Sequence, residues 1–286
     1  MSASPPPASD NAIGVLAALL EARTGQQLAA NRSWRIDTAL RPLLSSEGLG
    51  DLDALVWQLV ETNGTALADR VVDALLNQET SFFRDAGVVE NAARAVAEAV
   101  AERGPGRARI WSAGCSTGQE PLSLAMHFAE AGGEMPELVA TDVSAAALER
   151  ARGGRFSQFE IQRGLPVRRM MRWFDSEGGD WVAKPELVRM VSFRRHNLVS
   201  ESAPGGRFDA ILCRNVLFYL AAHRRALVLE KLAGALRPGG LLVLGAGETV
   251  IGQTDRFRPS ARFRGLYERA PDPVATPMRE ELRLAR

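Results

Sequence analysis

The stretch Arg109-Ile110-Trp111-Ser112-Ala113-Gly114-Cys115-Ser116-Thr117-Gly118-Gln119-Glu120-Pro121 decides the fold. Its first five residues read as a short strand, the next five as a glycine-rich turn, and a helix is predicted over 120–131. Working outward, a strand at 138–141 ends at Asp142 and a helix follows over 144–152. Later come a strand at 208–213, a helix at 221–236, a strand at 241–244 behind Pro238-Gly239-Gly240, and a last strand at 264–269. Such alternation predicts an α/β fold, a mostly parallel sheet with helices on both faces.

A glycine turn after the first strand lets backbone approach a ligand closely, which singles out Gly114. Asp142 closes the next strand, where an acid accepts hydrogen bonds from a ribose diol. The pair points to a nucleoside-containing cofactor at the carboxyl edge of the sheet. The dinucleotide pattern G-x-G-x-x-G is absent, because the spacing is Gly114-x-x-x-Gly118, and no Walker lysine is present. S-adenosylmethionine carries no pyrophosphate and needs no phosphate cradle. On pattern alone, a tight turn without any ligand stays open as the alternative.

Residues 1–10 are rich in Ser, Pro and Ala and read as a disordered lead. Residues 11–77 read as a small all-helical domain of four short helices. Ile13, Leu16, Leu19 and Leu20 recur at helical spacing, as do Leu52, Leu55, Val56, Leu59 and Val60, and Gly25, Gly48, Gly50 and Gly64 punctuate them. Residues 78–106 form a linker and a connecting helix from Asp85 to about Arg103. The sheet domain spans 107–270, with an insertion at 153–198 read as small and antiparallel, its hairpin turning at Gly178-Gly179. Residues 271–286 read as a loose tail.

Composition excludes several classes. The 286 residues are 46% hydrophobic and 24% charged with a formal charge of +1, so a uniformly basic nucleic-acid binder is not expected. Lys184 and Lys231 are the only lysines, and no lysine-based Schiff chemistry stands out. Cys115 and Cys213, with three histidines, make neither a disulfide framework nor a zinc knuckle, and no metal site is expected. The longest apolar run, 12–20, is far shorter than the roughly 20 residues a membrane span needs. No targeting segment is read at the N-terminus, so a soluble, cytoplasmic protein without membrane insertion is expected.

Five blocks carry a more specific likeness. Thr80-Ser81-Phe82-Phe83-Arg84-Asp85, the quoted stretch from Trp111 to Pro121, and Cys213-Arg214-Asn215-Val216-Leu217-Phe218-Tyr219 resemble signature blocks of the bacterial chemotaxis receptor methyltransferases, the CheR type. Ala140-Thr141-Asp142-Val143-Ser144 and Phe193-Arg194-Arg195-His196-Asn197-Leu198 resemble two more, and the blocks occur in family order. The resemblance implies a Rossmann-like class I methyltransferase sheet that moves a methyl group from S-adenosylmethionine to a receptor glutamate. The products would be a glutamyl methyl ester and S-adenosylhomocysteine.

Carried over residue by residue, Gln78, Thr80 and Arg84 would face the cofactor from the linker. Glu120 would bind its amino group, Asp142 its ribose, and Asn197 and Leu198 the adenine region. Arg214 and Asn215 would close the site, with Tyr219 near the transferred methyl. A glutamate, with a reference pKa of roughly 4.3, is already ionised at neutral pH and needs no general base. Catalysis then rests on positioning, which can supply roughly 7–11 kcal/mol. Arg84 is suited to hold the incoming carboxylate; a salt bridge to Asp85 or Glu79 is its plainer alternative. Glu120 has a helix-capping alternative, and Tyr219 that of a buried aromatic. Cys115, Cys213 and His196 read as structural.

Two departures from the family pattern stand out. Gln78 occupies a position where the family often has Asn. The implied receptor-facing helix, about 31–44, has a thin basic face: Arg32 and Arg35 lie within about 60° of each other, Arg41 projects away and Asp37 intervenes. The partner implied is the cytoplasmic helical region of a transmembrane chemoreceptor, bound by a monomer. The short hairpin at Gly178-Gly179 points away from dependence on a C-terminal tether peptide. A CheR-like enzyme with another protein substrate, and a non-catalytic S-adenosylmethionine-binding signalling protein, are the alternatives.

Overall fold

The computed structural model describes residues 9–28, 33–62, 64–104 and 106–271. It opens with four helices, α1 (Asp10–Thr24), α2 (Ser33–Glu47), α3 (Leu52–Thr62) and α4 (Thr65–Leu75). Ser9 accepts the Ala12 N–H and caps α1, which stops at Gly25 with φ 74°. Residues 9 and 10 are therefore part of a capped helix, not of a disordered lead; residues 1–8 and 272–286 lie outside the described residues. Helices of 11–15 residues are marginal alone in water. Here Leu16, Leu20, Ile36, Leu40, Leu55 and Val71 are buried in a core of their own. Burying each such side chain contributes roughly 1.5–3 kcal/mol.

The long helix α5 (Ala86–Arg103) leads into the sheet. Then follow β1 (Arg109–Ala113), α6 (Gln119–Ala131), β2 (Glu137–Asp142), α7 (Ala145–Gly153), β3 (Arg155–Ser157), α8 (Gln158–Gln162), α9 (Val167–Trp173), β4 (Phe174–Glu177), β5 (Asp180–Ala183) and α10 (Pro185–Arg189). The chain ends with β6 (Val191–Arg195), β7 (Phe208–Cys213), α11 (Ala222–Ala235), β8 (Leu236–Leu244), β9 (Phe257–Pro259) and β10 (Tyr267–Arg269). The main sheet has the order β6-β2-β1-β7-β8-β10-β9, parallel from β6 through β8 and antiparallel at β10 and β9. Period-two alternation splits its side chains between two cores. Ile110, Leu138, Ala210 and Leu212 face one side with α5 and α6, whereas Trp111, Val139, Ile211 and Leu242 face α11.

Beyond the three short helices inside the insertion and a last strand that begins at Tyr267, not 264, three elements of the main sheet differ from the sequence reading. The last segment of the predicted insertion, Val191–Arg195, instead returns to the main sheet as β6, parallel to β2. It is a half-exposed edge strand, so it lacks the apolar run that marks β1 and β7. β8 starts at Leu236, not 241, because Leu236 pairs with Phe208 and Leu241 with Ala210. Pro238, Gly239 and Gly240 form the bulge between these pairs, where a missing N–H and a φ of 71° at Gly239 are tolerated. The three-residue β9, ending in a proline, gives no periodic signal. Among the described residues, no helix is long and apolar enough to cross a membrane.

The antiparallel sheet β3-β5-β4 turns at Gly178 and Gly179, both with positive φ, and it grips the linker. The Phe82 ring is fully buried, 5.0 Å from Phe156 on β3 and 5.5 Å from Phe174 on β4, edge to face. A Cβ on Gly164, φ 97°, would lie 2.1 Å from the Phe82 carbonyl oxygen, so only glycine admits the linker there. Phe83 lies under the Arg169 guanidinium at 4.3 Å and donates its N–H to Ser123 Oγ. Thr80 and Arg84 therefore sit on a segment fixed by two aromatic anchors.

Candidate active site

The pocket lies at the carboxyl ends of β1, β2 and β7, under the linker. Gly114, Gln78, Thr80, Arg84, Glu120, Asp142, Asn197, Leu198, Arg214, Asn215 and Tyr219 all line it. Gly114 is required for a reason beyond ligand approach: with φ 85°, its Cβ would lie 2.5 Å from Val216 Cγ2. The strand-end turn thus packs directly on the turn after β7.

Asp142 is held by backbone. The Ser116 N–H donates to Oδ2 at 2.8 Å and the Ser144 N–H to Oδ1 at 2.9 Å. Burial pushes its pKa up, against these amides, which favour the charged form. Each oxygen of an ionised carboxylate has a second lone pair for a hydroxyl donor. Ser116 Oγ also donates to the Gln78 carbonyl, while Gln78 Nε2 reaches Ser144 Oγ at 3.1 Å and the Asp73 carbonyl at 3.2 Å. The longer amide of Gln78 thus ties the linker to the start of α7.

Glu120 is no simple helix cap. It accepts from Ser112 Oγ at 2.7 Å and from Arg214 Nη1 at 3.1 Å. Arg214, with a side chain 3% exposed, also donates to Asp85 Oδ2 at 2.6 Å and to the Arg84 carbonyl at 3.0 Å. Its two terminal nitrogens, held by two carboxylates and a carbonyl, tie the end of β7 to α6 and to the linker, while its Nε is buried without a partner. Asp85, expected to open α5, spends its carboxylate on Arg214 and leaves its own helix uncapped.

Arg84 contrasts with Arg214. Its two plainer partners are taken, Asp85 by Arg214 and Glu79 by Arg163. One long bond to the Glu79 carbonyl at 3.4 Å holds it, and among the described residues it pairs with no carboxylate. Thr80 makes no hydrogen bond within the protein among the described residues.

Asn197 forms its own turn, accepting from the Val199 and Ser200 amides at 2.9 and 3.3 Å, and donates to the Arg23 carbonyl of α1 at 2.7 Å. Its amide is therefore engaged within the protein, while Leu198 presents apolar surface beside it. Lys231 Nζ fastens this turn from below through the carbonyls of Leu198, Val199 and Glu201. Tyr219 Oη accepts a hydrogen bond from Asn77, and the ring lies 4.2 Å from that of Phe218. The helical region comes close here: Gln27 N–H donates to the Tyr219 carbonyl at 2.8 Å and Gln26 bridges Leu220. Arg35 is half-buried on α2 and lines an adjoining cavity with Asn77 and Tyr219. Arg41 is paired with Asp37 at 3.0 Å, and Arg32 lies outside the described residues.

Among the described residues, four non-glycine residues have positive φ: Phe83 (47°), Asp85 (54°), Ser116 (50°) and Asn215 (59°). Three of them line the pocket and Asp85 borders it. Such backbone costs about 1–3 kcal/mol each and gathers where a site over-determines it. Burial pushes the thiols of Cys115 and Cys213 well up, so they stay protonated and act as packing. His196 bonds the Ser202 carbonyl and lies edge-on to Trp111. The sequence reading did not single out Asn77, Ser112, Ser116, Ser144 or Glu248. Ser112 and Ser116 stood within the quoted stretch, whereas Glu248 carried no local signal.

The sheet order, the glycine turn and two carboxylates facing a partly apolar cavity fit an amino-acid nucleoside with a ribose diol and a cationic amine. They define a class I S-adenosylmethionine-dependent methyltransferase. Residues 78–265 match the family model described as CheR methyltransferase, SAM binding domain. The chain is 36% identical over 260 residues to chemotaxis protein methyltransferase 1 of Pseudomonas aeruginosa, covering 88% of this chain and 94% of that one. It is also 36% identical to chemotaxis protein methyltransferase Cher2 of Pseudomonas putida, over 84% and 90% of the two chains. A Vibrio parahaemolyticus chemotaxis protein methyltransferase matches at 36% over 83% and 89%. The chain belongs to the CheR methyltransferase family.

Proposed function

We propose that this protein methylates glutamate side chains in the cytoplasmic helical region of a transmembrane chemoreceptor, acting as a cytoplasmic monomer in chemotactic adaptation. Bound S-adenosylmethionine supplies an electrophilic methyl group carried on a sulfonium. Asp142 would accept the ribose hydroxyls, Glu120 the amino group, and the turn of Asn197 and Leu198 would border the adenine. Gln78, Thr80 and Asn215 would complete the cofactor walls. The observation that carries the reading is the state of Arg84, a cation at the pocket whose neighbouring acids are both engaged elsewhere. It is free to take an acceptor carboxylate in two charge-assisted bonds. Tyr219 would orient that acceptor, and Arg35 and Arg32 would meet the acidic receptor helix.

The receptor is proposed to be recognised without a tether peptide. In support, the two edge strands of the small sheet are only three and four residues long, and the edge strand β4 exposes Asp175 and Glu177. A second reading, another protein as acceptor, is favoured by the thin cationic face of α2, where Arg41 is paired to Asp37.

The test is transfer of labelled methyl from S-adenosylmethionine to receptor cytoplasmic fragments with and without their C-terminal peptide. Base-labile label on both fragments at equal rates is expected. No label on any receptor would remove the receptor reading.

A further inference from the structure

One carboxylate outside the pocket lining holds five backbone amides. Glu248, just past β8, accepts from Asn215 N–H at 2.7 Å and Gly245 N–H at 2.9 Å through Oε2. Through Oε1 it accepts from Val216 at 3.0 Å, Leu217 at 2.7 Å and Phe218 at 3.4 Å. Four of them, from Asn215 to Phe218, are the otherwise orphaned donors of the turn after β7, which opens into the 3-10 turn Leu217–Tyr219. The same turn carries Asn215, at φ 59°, and Tyr219. Gly245 backs it, since a Cβ there would lie 2.7 Å from Asn215 Nδ2 and 3.0 Å from its backbone nitrogen. On the opposite side Val216 packs on Gly114.

We infer that Glu248 is a positioning residue for methyl transfer, setting the place of Asn215 and Tyr219 by gathering the amides of residues 215–218 on its carboxylate. The inference rests on the methyltransferase reading above. Its chemistry demands a carboxylate, because five N–H groups need acceptor lone pairs on both oxygens. A carboxamide in either flip turns an NH2 against N–H groups, facing Asn215 and Gly245 in one and residues 216–218 in the other. Misplacing a reacting group by about 1 Å can cost on the order of a hundredfold in rate.

The experiment compares Glu248→Gln, Glu248→Asp and Gly245→Ala in the full chain. It measures hydrogen exchange, S-adenosylhomocysteine binding by calorimetry, and receptor methylation kinetics. For Glu248→Gln we expect amide protection to fall over 214–219 and stay unchanged on β1 and β2. Its kcat should drop by about tenfold to a hundredfold, with acceptor KM little changed. Glu248→Asp should regain part of the rate, because it keeps two acceptor oxygens. Gly245→Ala displaces Asn215 while keeping the Glu248 side chain and all five N–H donors, and it should show the same kinetic signature, which keeps the test open if Glu248→Gln fails to fold. Unchanged protection at 214–219, or wild-type kcat in Gly245→Ala, would overturn the inference. Protection lost across the whole sheet would overturn it too, leaving Glu248 a general stabiliser. A wild-type chain that binds S-adenosylhomocysteine but methylates no receptor would instead sink the acceptor assignment, and the exchange arm would still decide Glu248's hold on the turn.

Discussion

The floor and the roof of the pocket are built on opposite plans. On the floor, at the ends of β1, β2 and β7, nearly every polar group is engaged: Asp142 by two amides, Glu120 by Ser112 and Arg214, and Arg214 by two carboxylates and a carbonyl. On the roof, Arg84 has one long bond, Thr80 has none among the described residues, and Arg35 lines an open cleft. The backbone of the roof is nonetheless fixed by Phe82 and Phe83. The difference teaches that the floor's polar groups are committed to one another, whereas the roof holds side chains in reserve. A rigid floor suits a cofactor of constant shape, and a roof of unspent side chains on fixed backbone suits a protein acceptor.

Substitutions that break this contrast should differ in kind as well as size. Arg214→Ala leaves the largely covered Glu120 without its cation and should cost about 2–4 kcal/mol of stability, below the full penalty of a broken buried pair, measured by urea unfolding. Wild-type stability would mean the floor is not held by that network. Asp142→Ala should weaken S-adenosylmethionine binding by about 1–3 kcal/mol, read by calorimetry, without a comparable loss of fold. Arg84→Ala should lower kcat/KM for the receptor by about 1.5–3 kcal/mol and leave cofactor affinity nearly unchanged. Equal losses in both would put Arg84 in the floor's plan. Tyr219→Phe keeps the ring and should cost about 0.5–1.5 kcal/mol in turnover. The smallest effect is expected for Arg35→Ala, about 0.2–1 kcal/mol in receptor KM and weaker still at high salt.

A pH titration sharpens the same comparison. Burial raises the Asp142 pKa, so on its own this group favours the fold below its unfolded pKa, and that contribution is lost as pH rises through the folded pKa. Cofactor binding has the opposite sign, because hydroxyl donors need the ionised acceptor. Affinity should therefore fall on acidification, beginning above the range of an exposed aspartate, and Asp142→Asn should abolish that slope. A wild-type slope in Asp142→Asn would assign the titration to another group.

The parallel sheet was legible in the sequence because β1, β2 and β7 are short apolar runs closed by a glycine turn, an aspartate and an Arg-Asn pair. The edges were not. β6 is half-exposed, β9 has three residues, and the bulge in β8 hides its first pair behind Pro238-Gly239-Gly240. For the candidate site, eleven predicted residues converge on one pocket, while Arg35 falls in the adjoining cavity and Arg32 outside the described residues. Glu248 was invisible, since its five partners lie in backbone and no side-chain pattern announces them.

Local chemistry along the chain thus determined the periodicity, the glycine turns, the acid at the end of β2 and the family blocks, all of which are written in consecutive residues. Only the tertiary structure decided which charges are spent and which are free. Arg84 and Arg214 are the same residue type, each near Asp85. Burial of Arg214 between Glu120 and Asp85 draws it into the scaffold, and the aromatic anchoring of the linker leaves Arg84 lining the pocket with no salt bridge among the described residues. That division depends on distances between residues from 74 to 129 positions apart, which no pattern of neighbours encodes.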